Sequence, residues 1–250
     1  MMQPKQCSAQ TRTRLSLLGS FSLAVDGSQI PIRIHAQRVL AYLSLVQPAQ
    51  LEHLRAGLAE RLWGDVPIER SQASLRTALW RIRQADPWLI RVTRETVRLD
   101  DAVEVDVRRT LDQAGRLVAG KCDLRPRDTD VYTLRGDLLP GWDEDWILLE
   151  RERIRQVQIH ALEALAHWLC SHGRHLEAIE AAFAAIEAEP LRESAHAALI
   201  DVFLAEGNVA QARHQLERYA AMVWSEMRVR PSDELTRRVA ASEGRLRATA

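Results

Sequence analysis

Residues 71–85 read SQASLRTALWRIRQA, and their hydrophobic spacing predicts an amphipathic helix. The apolar residues recur at i, i+3, i+4 and i+7, a spacing that places them in one stripe along a helix. They are Leu75, Ala78, Leu79 and Ile82. We expect this stripe to pack against a core, so that the opposite side of the helix faces solvent or a ligand.

The opposite side of this helix carries no acidic residue. Arginine, hydroxyl, methyl and indole groups, which contact phosphates and base edges in a major groove, are present instead. The residues that point away from the stripe are Arg70, Ala73, Thr77, Trp80, Arg81 and Gln84, with Ser74, Arg76 and Arg83 on its flanks. The pattern fits a DNA recognition helix; the alternative is an ordinary surface helix that is basic.

The charge of the chain is divided between its two parts. The 250 residues have a formal net charge of zero, but residues 1–99 hold 14 Arg and Lys against 7 Asp and Glu, and residues 100–250 hold 20 against 27. A length of 250 residues favours two domains over one. A basic part joined to an acidic part is typical of a nucleic-acid-binding domain linked to a domain with another role.

The elements around residues 71–85 predict a winged helix-turn-helix. Alternating apolar residues around the Asp26-Gly27 turn predict short antiparallel strands, and helical spacing follows in residues 35–46 and again in residues 51–64. After the third helix, residues 90–99 predict a hairpin. In this order of elements the third helix enters the major groove and the hairpin, or wing, reaches neighbouring phosphates.

The N-terminal part resembles the OmpR-like winged-helix domain of SARP-type bacterial transcriptional activators. The resemblance covers about residues 14–108 and lies in LWGDVPIERSQASLRTALWRIR, residues 62–83, and VRLDDAVEVDV, residues 97–107. It implies base-reading roles for Ser74, Thr77 and Arg81, and we add Trp80, whose exposed indole lies beside them, as a fourth base-reading residue. The wing departs from the family pattern because it is short and lacks the Gly-Tyr pair.

Four other basic side chains of this region are candidates for phosphate contacts. We assign that role by charge and position to Arg70, Arg76, Arg83 and Arg94. Residues 1–13 are polar and predict a disordered tail.

The C-terminal half contains an internal repeat. An offset of 34 residues pairs Leu165 with Leu199, Gly173 with Gly207 and Ala178 with Ala212. A period of 34 is that of tetratricopeptide (TPR) repeats, in which small residues let paired helices cross closely. Residues 109–250 therefore predict an all-helical repeat domain, with residues 120–140 as a connector of little structure and a long helix from near Trp142 to Gly173. Trp142 and Trp146 are interpreted as packing residues.

The C-terminal half resembles the bacterial transcriptional activator domain, BTAD, which follows the winged helix in SARP-type regulators. The resemblance lies in LLPGWDEDWILLERERIR, residues 138–155, and in residues 173–208. The fold class that we expect is mainly α with a small β part, a winged helix-turn-helix followed by a TPR-like domain. The resemblance implies a transcriptional activator that binds double-stranded promoter DNA and contacts RNA polymerase, with a homodimer or cooperative assembly on DNA as further possibilities.

Catalytic and metal sites find little support in the sequence. It contains no GxSxG, HExxH or GxxxxGK[ST] motif, so we expect no enzyme and no cofactor. The histidines at 160, 167, 172 and 175 have no carboxylate or thiol at metal-ligand spacing, so no metal is expected. Three separated cysteines and the absence of an 18-residue apolar run favour a cytoplasmic protein with no membrane partner. The alternative function is a TPR-type adaptor whose winged helix no longer binds DNA.

Overall fold

The computed structural model describes residues 12–45, 52–120 and 129–249. The chain divides into two compact units. The first contains residues 1–109 together with 137–150, and the second contains residues 110–136 together with 151–250. The division of the chain into domains 14–108 and 109–250 stays a prediction. In the structure, residues 137–150 pack with the first unit.

A four-stranded sheet opens the first unit. Strands β1 (Thr13–Ser16), β2 (Ser22–Val25) and β3 (Ser28–Gln29) form an antiparallel meander. Asp26 and Gly27 both have positive φ, 49° and 81°, as a two-residue hairpin turn of right-handed twist requires. Strand β7 (Glu104–Val105) pairs in parallel with β1 and completes the order β3-β2-β1-β7.

Three helices follow the first strands. They are α1 (Ile34–Leu45), α2 (Arg55–Trp63) and α3 (Ile68–Ala85). The predicted start of the second helix is wrong: His53–Leu54 form strand β4, and Leu54 is 64% exposed. The cause is a long-range pairing of β4 with the wing, which leaves Arg55 as the first helical residue. The predicted position Leu51 lies outside the described residues.

The predicted wing is present. Strands β5 (Ile90–Val92) and β6 (Thr96–Leu99) are antiparallel, and β4 extends them into a sheet of order β4-β6-β5. The buried Asp86 holds the end of α3 to the first sheet, because its carboxylate accepts a hydrogen bond of 2.8 Å from the Thr13 hydroxyl. The same carboxylate accepts from the backbone N–H of Trp88 at 2.9 Å.

Asp106 connects the first sheet to the next helix. Strand β7 (Glu104–Val105) leads into α4 (Asp106–Val118), and the Asp106 carboxylate accepts the backbone N–H groups of Leu17 and Leu18 at 2.9 and 3.0 Å. Burial raises the pKa of Asp106, and these hydrogen bonds oppose the rise.

Residues 137–150 add a further segment to the first unit. Leu139, with a φ of 42°, donates its N–H to the carbonyl of Leu17 at 2.9 Å. Trp142 stacks on Phe21 at 6.4 Å between ring centroids, and Trp146 meets the Tyr42 ring edge-on at 5.4 Å. The two tryptophans are therefore packing residues.

The predicted connector is partly structured. Its residues 121–128 lie outside the described residues. Val131–Leu134 form a short 3-10 helix, and Asp130 caps it by accepting the N–H of Tyr132 at 3.0 Å. Leu138 pairs with Leu18 in an isolated bridge. The expectation of little structure in this segment is thus wrong for the residues after 128, because their backbone groups find partners.

The second unit is helical. Its helices are α5 (Asp145–Ser171), whose first residues belong to the first unit, α6 (His175–Ala188), α7 (Glu193–Ala205), α8 (Val209–Met227) and α9 (Asp233–Thr249). The starts of α6 and α8 lie 34 residues apart, as do the ends of α5 and α7. Gly173 and Gly207 have positive φ at equivalent turns, and Ala178 and Ala212 are fully buried. The repeat register predicted from the sequence is present in the helices.

Candidate nucleic-acid interface

Helix α3 is fixed in rotation by its buried side. Leu75, Ala78, Leu79 and Ile82 are all buried, as their spacing predicts, and Ser71 joins them. Ser71 is accommodated there because its hydroxyl donates to the carbonyl of Ile68 at 2.9 Å. The opposite side of α3 is therefore held outward by the packing of the unit.

The four predicted base-reading residues differ in exposure. Trp80 is 61% exposed and Thr77 is also exposed. Ser74 and Arg81 are half-buried, which places them on the flank of the outward side. The hydroxyl of Thr77 donates to the carbonyl of Ala73 at 3.0 Å, inside the helix. Their roles in base reading stay predictions.

The predicted phosphate ligands form an uncompensated set of cations. Arg70, Arg76 and Arg83 on α3 and Arg94 at the wing turn are exposed. Within residues 12–45, 52–120 and 129–249, none of the four forms an ion pair with a carboxylate. Their positive charge is therefore available to an external anion.

The other two arginines of the wing are neutralised. The Arg91 guanidinium lies 2.6 Å from the Asp100 carboxylate, and that of Arg98 lies 3.0 Å from the Asp101 carboxylate. Free and paired arginines thus occur in the same small sheet. This contrast supplies matched controls for any test of phosphate binding.

A cleft lies between α3 and the wing. Its volume is about 440 Å³, and its lining includes Arg76, Trp80, Arg83 and Gln84 of α3 and Val92 of β5. The structure thus brings two predicted phosphate ligands and one predicted base reader to one concave surface. The other five predicted site residues, Arg70, Ser74, Thr77, Arg81 and Arg94, do not line it.

Arg55 also lines this cleft, and the sequence analysis missed it. Its guanidinium donates to the carbonyls of Thr93 and Arg94 at 3.4 and 3.3 Å, and its backbone N–H donates to the backbone carbonyl of Glu95 at 2.8 Å. Arg55 therefore holds the wing turn against the start of α2. No local sequence signal marks this role, because it depends on the pairing of β4 with β6.

The second unit has a buried polar cluster around His196. The ring Nε2 donates to the carbonyl of Pro190 at 2.8 Å, and the Gln215 amide donates to Nδ1 at 2.8 Å. Tyr219 stacks on the ring at 4.3 Å. Burial lowers the pKa of His196, and the nearby positive charge of Arg218 lowers it further. The hydrogen bond to the Pro190 carbonyl and the negative charge of Glu193 act in the opposite direction. Both ring nitrogens are satisfied in the neutral form.

Two features of the described residues bear on other functions. No group of three or more His, Cys, Asp or Glu side chains is placed to hold a metal ion among them. Among those same residues, no helix combines the length and apolar character needed to span a bilayer. His172, which directly follows α5, instead stacks on Trp168 with 4.0 Å between ring centroids.

Comparison with known proteins identifies the second part of the chain. Residues 128–241 match the family model of the bacterial transcriptional activator domain. A search of curated proteins gives no match.

A solved structure shares the fold of nearly the whole chain. The Mycobacterium tuberculosis protein EmbR, in complex with a low affinity phosphopeptide, is similar with a TM-score of 0.75 and 20% identity. The match covers 96% of this chain and 66% of that chain, so this chain spans slightly less than two thirds of the length of EmbR. The family match confirms the resemblance of residues 128–241 to the bacterial transcriptional activator domain, and the solved structure confirms the mainly α fold with a small β part.

Proposed function

We propose that this chain, which carries the bacterial transcriptional activator domain of SARP-type regulators at residues 128–241, is a sequence-specific DNA-binding activator of transcription. Helix α3 would enter the major groove of promoter DNA, and the wing would lie along neighbouring phosphates. The second unit would contact RNA polymerase or another copy of the chain. Such a protein acts in the cytoplasm, where bacterial DNA lies.

The observation that carries this proposal is the outward side of α3. Buried residues on one side fix its rotation, and the other side presents Arg70, Arg76 and Arg83 without carboxylate partners among the described residues. An array of free guanidinium groups on an exposed helix gains free energy from DNA by releasing the counterions that surround phosphates. In contrast, Arg174 and Arg238 of the second unit are paired with Glu177 and Asp201.

Arg81 is the residue whose role separates specific from non-specific binding. It is half-buried on the flank of α3 and has no ion-pair partner in the described part of the chain. A guanidinium that makes a bidentate contact to guanine contributes about 1–3 kcal/mol to discrimination. A guanidinium that contacts a phosphate contributes equally on every sequence.

The experiment is selection of binding sites from random duplex DNA by the full chain, followed by affinity measurement on the enriched duplex and on an unrelated one. We expect a recurrent motif. For Arg81→Ala we expect operator affinity to fall by about 1–3 kcal/mol with non-specific affinity nearly unchanged. Enrichment of no motif would reject the DNA-binding function and favour the adaptor; an Arg81→Ala protein that binds both duplexes as the parent does would reject the assignment of Arg81.

A further inference from the structure

The middle of the outward side of α3 is uncharged. Taking about 100° of rotation per residue, four residues lie within about 40° of the direction opposite to the buried stripe. We call Ala73, Thr77, Trp80 and Gln84 the central row. Arg76 and Arg83 lie on one flank of the central row, and Arg70 and Arg81 lie on the other.

This arrangement separates the groups that face bases from those that face phosphates. A helix in the major groove presents its outward middle to the base edges and its flanks to the two phosphate walls. Arg70, Arg76 and Arg83 are therefore placed for the walls, whereas Arg81 keeps its proposed role as a guanine reader at the edge of the row. The base edges at the middle of the site would meet the methyl, indole and amide groups of the central row.

Thr77 has a restricted hydrogen-bonding capacity. Its hydroxyl donates to the Ala73 carbonyl at 3.0 Å, so its single hydrogen is used inside the helix. What Thr77 offers to a base is its methyl group and an acceptor oxygen. Guanine presents only acceptors in the major groove, at N7 and O6, so Thr77 in this rotamer has nothing to donate to it.

The neighbours of Thr77 reinforce an apolar preference. Ala73 contributes a methyl group, and Trp80 contributes an indole that is 61% exposed. Thymine is the one base that carries a methyl group in the major groove, and side chains such as Ala and Thr contact it there. Gln84 is exposed, and its amide can donate to N7 and accept from N6 of adenine.

We infer that the central row reads A·T pairs, with the methyl groups of Ala73 and Thr77 packed on the C5-methyl of a thymine. This inference rests on the proposed function and names the base chemistry that α3 recognises. Thr77 is the specificity-determining residue for these A·T pairs, because its hydroxyl is committed within the helix while its methyl group remains available. Arg70, Arg76 and Arg83 on the two flanks supply affinity that does not depend on the sequence.

The test replaces each thymine of the selected duplex by deoxyuridine, one at a time, with the full-length protein. Uracil has the same hydrogen-bonding groups as thymine and lacks only the methyl group. We expect at least one thymine whose replacement weakens binding about fourfold, the ratio that corresponds to loss of one buried methyl contact. The same replacement of thymine by deoxyuridine in an unrelated duplex should leave the affinity for that duplex unchanged.

Two nearly isosteric variants test Thr77 itself. Thr77→Val keeps a methyl group at the base and loses the hydroxyl, so it should discriminate thymine from uracil as the parent does. Thr77→Ser keeps the hydroxyl and loses the methyl group, so its affinities for the two duplexes should converge. Discrimination that survives in Thr77→Ser, or a motif in which no thymine is sensitive to replacement, overturns the inference and leaves the proposed function intact. Failure to enrich any motif overturns both.

Discussion

Removing a free arginine of α3 should flatten the salt dependence of DNA binding, whereas removing a paired arginine together with its carboxylate should not. The perturbations are Arg76→Gln and the double substitution Arg91→Gln with Asp100→Asn. Arg76 is exposed and has no ion-pair partner among the described residues, whereas Arg91 lies 2.6 Å from Asp100. Asparagine at position 100 keeps an oxygen for the N–H of Ala102, which the Asp100 carboxylate accepts at 3.0 Å.

The magnitude follows from the number of free charges. Each neutralised phosphate contributes about −0.9 to the slope of log affinity against log salt. The four free arginines at positions 70, 76, 83 and 94 therefore predict a slope of about −3.6 or steeper for the parent protein. Arg76→Gln should reduce the steepness by about 0.9 on any sequence. Between about 50 and 200 mM salt, one such contact accounts for about a 3.5-fold change in affinity.

The assay is fluorescence anisotropy of a labelled non-specific duplex, titrated with the full chain at several salt concentrations. The double variant keeps the net charge of the parent and should keep its slope. A slope that stays the same in Arg76→Gln, or one that flattens equally in the double variant, would refute the reasoning that unpaired arginines carry the electrostatic attraction.

Three further predictions concern the wing and the helical unit. Arg55→Ala should speed hydrogen exchange of the wing amides, because it removes two hydrogen bonds that stabilise the wing turn by about 0.5–1.5 kcal/mol each. Arg55→Lys should also speed this exchange, but it should keep more of the DNA affinity because it keeps the positive charge. Ala178→Leu should overpack the fully buried crossing of α6 and lower the free energy of unfolding by about 1–3 kcal/mol in urea titrations. The free energy of unfolding should fall as pH drops below about 6.5, and protonation of His196 should account for up to about 1.4 kcal/mol of this loss per pH unit. Gln215→Glu should reduce the loss.

The sign of the pH effect follows from the direction of the pKa shift. Because burial lowers the pKa of His196, the unfolded chain takes up the proton first as pH falls. The stability that neutral His196 contributes to the folded state above about pH 6.5 is then lost. A carboxylate at position 215 would accept from the charged ring and raise its pKa. If the parent and Gln215→Glu lose stability equally as pH falls, the assignment of the pH effect to His196 is contradicted. Unchanged wing exchange in Arg55→Ala, or unchanged stability in Ala178→Leu, would contradict the other two.

Periodic features of the sequence predicted the framework. The spacing of Leu75, Ala78, Leu79 and Ile82 predicted the buried side of α3 because helical geometry alone determines which residues share a face. The 34-residue offset predicted the equivalent turns at Gly173 and Gly207, since a repeat appears directly in sequence.

Features that depend on contacts between distant residues were not predictable. Strand β4 has two residues and no pattern of its own, and it exists because His53 and Leu54 pair with Val97 and Thr96. The role of Arg55 follows from that pairing and was missed for the same reason. Helical projection placed Arg81 outward, whereas in the folded unit it is half-buried.

Genome-wide crosslinking of the tagged full-length protein to DNA tests the central claim most directly, when the parent is compared with a variant in which Arg70, Arg76 and Arg83 are all glutamine. The account predicts reproducible sites that share one sequence motif upstream of genes, and loss of those sites in the variant with its fold intact by circular dichroism. Crosslinking without a common motif, or the same sites occupied equally by the variant, would contradict it.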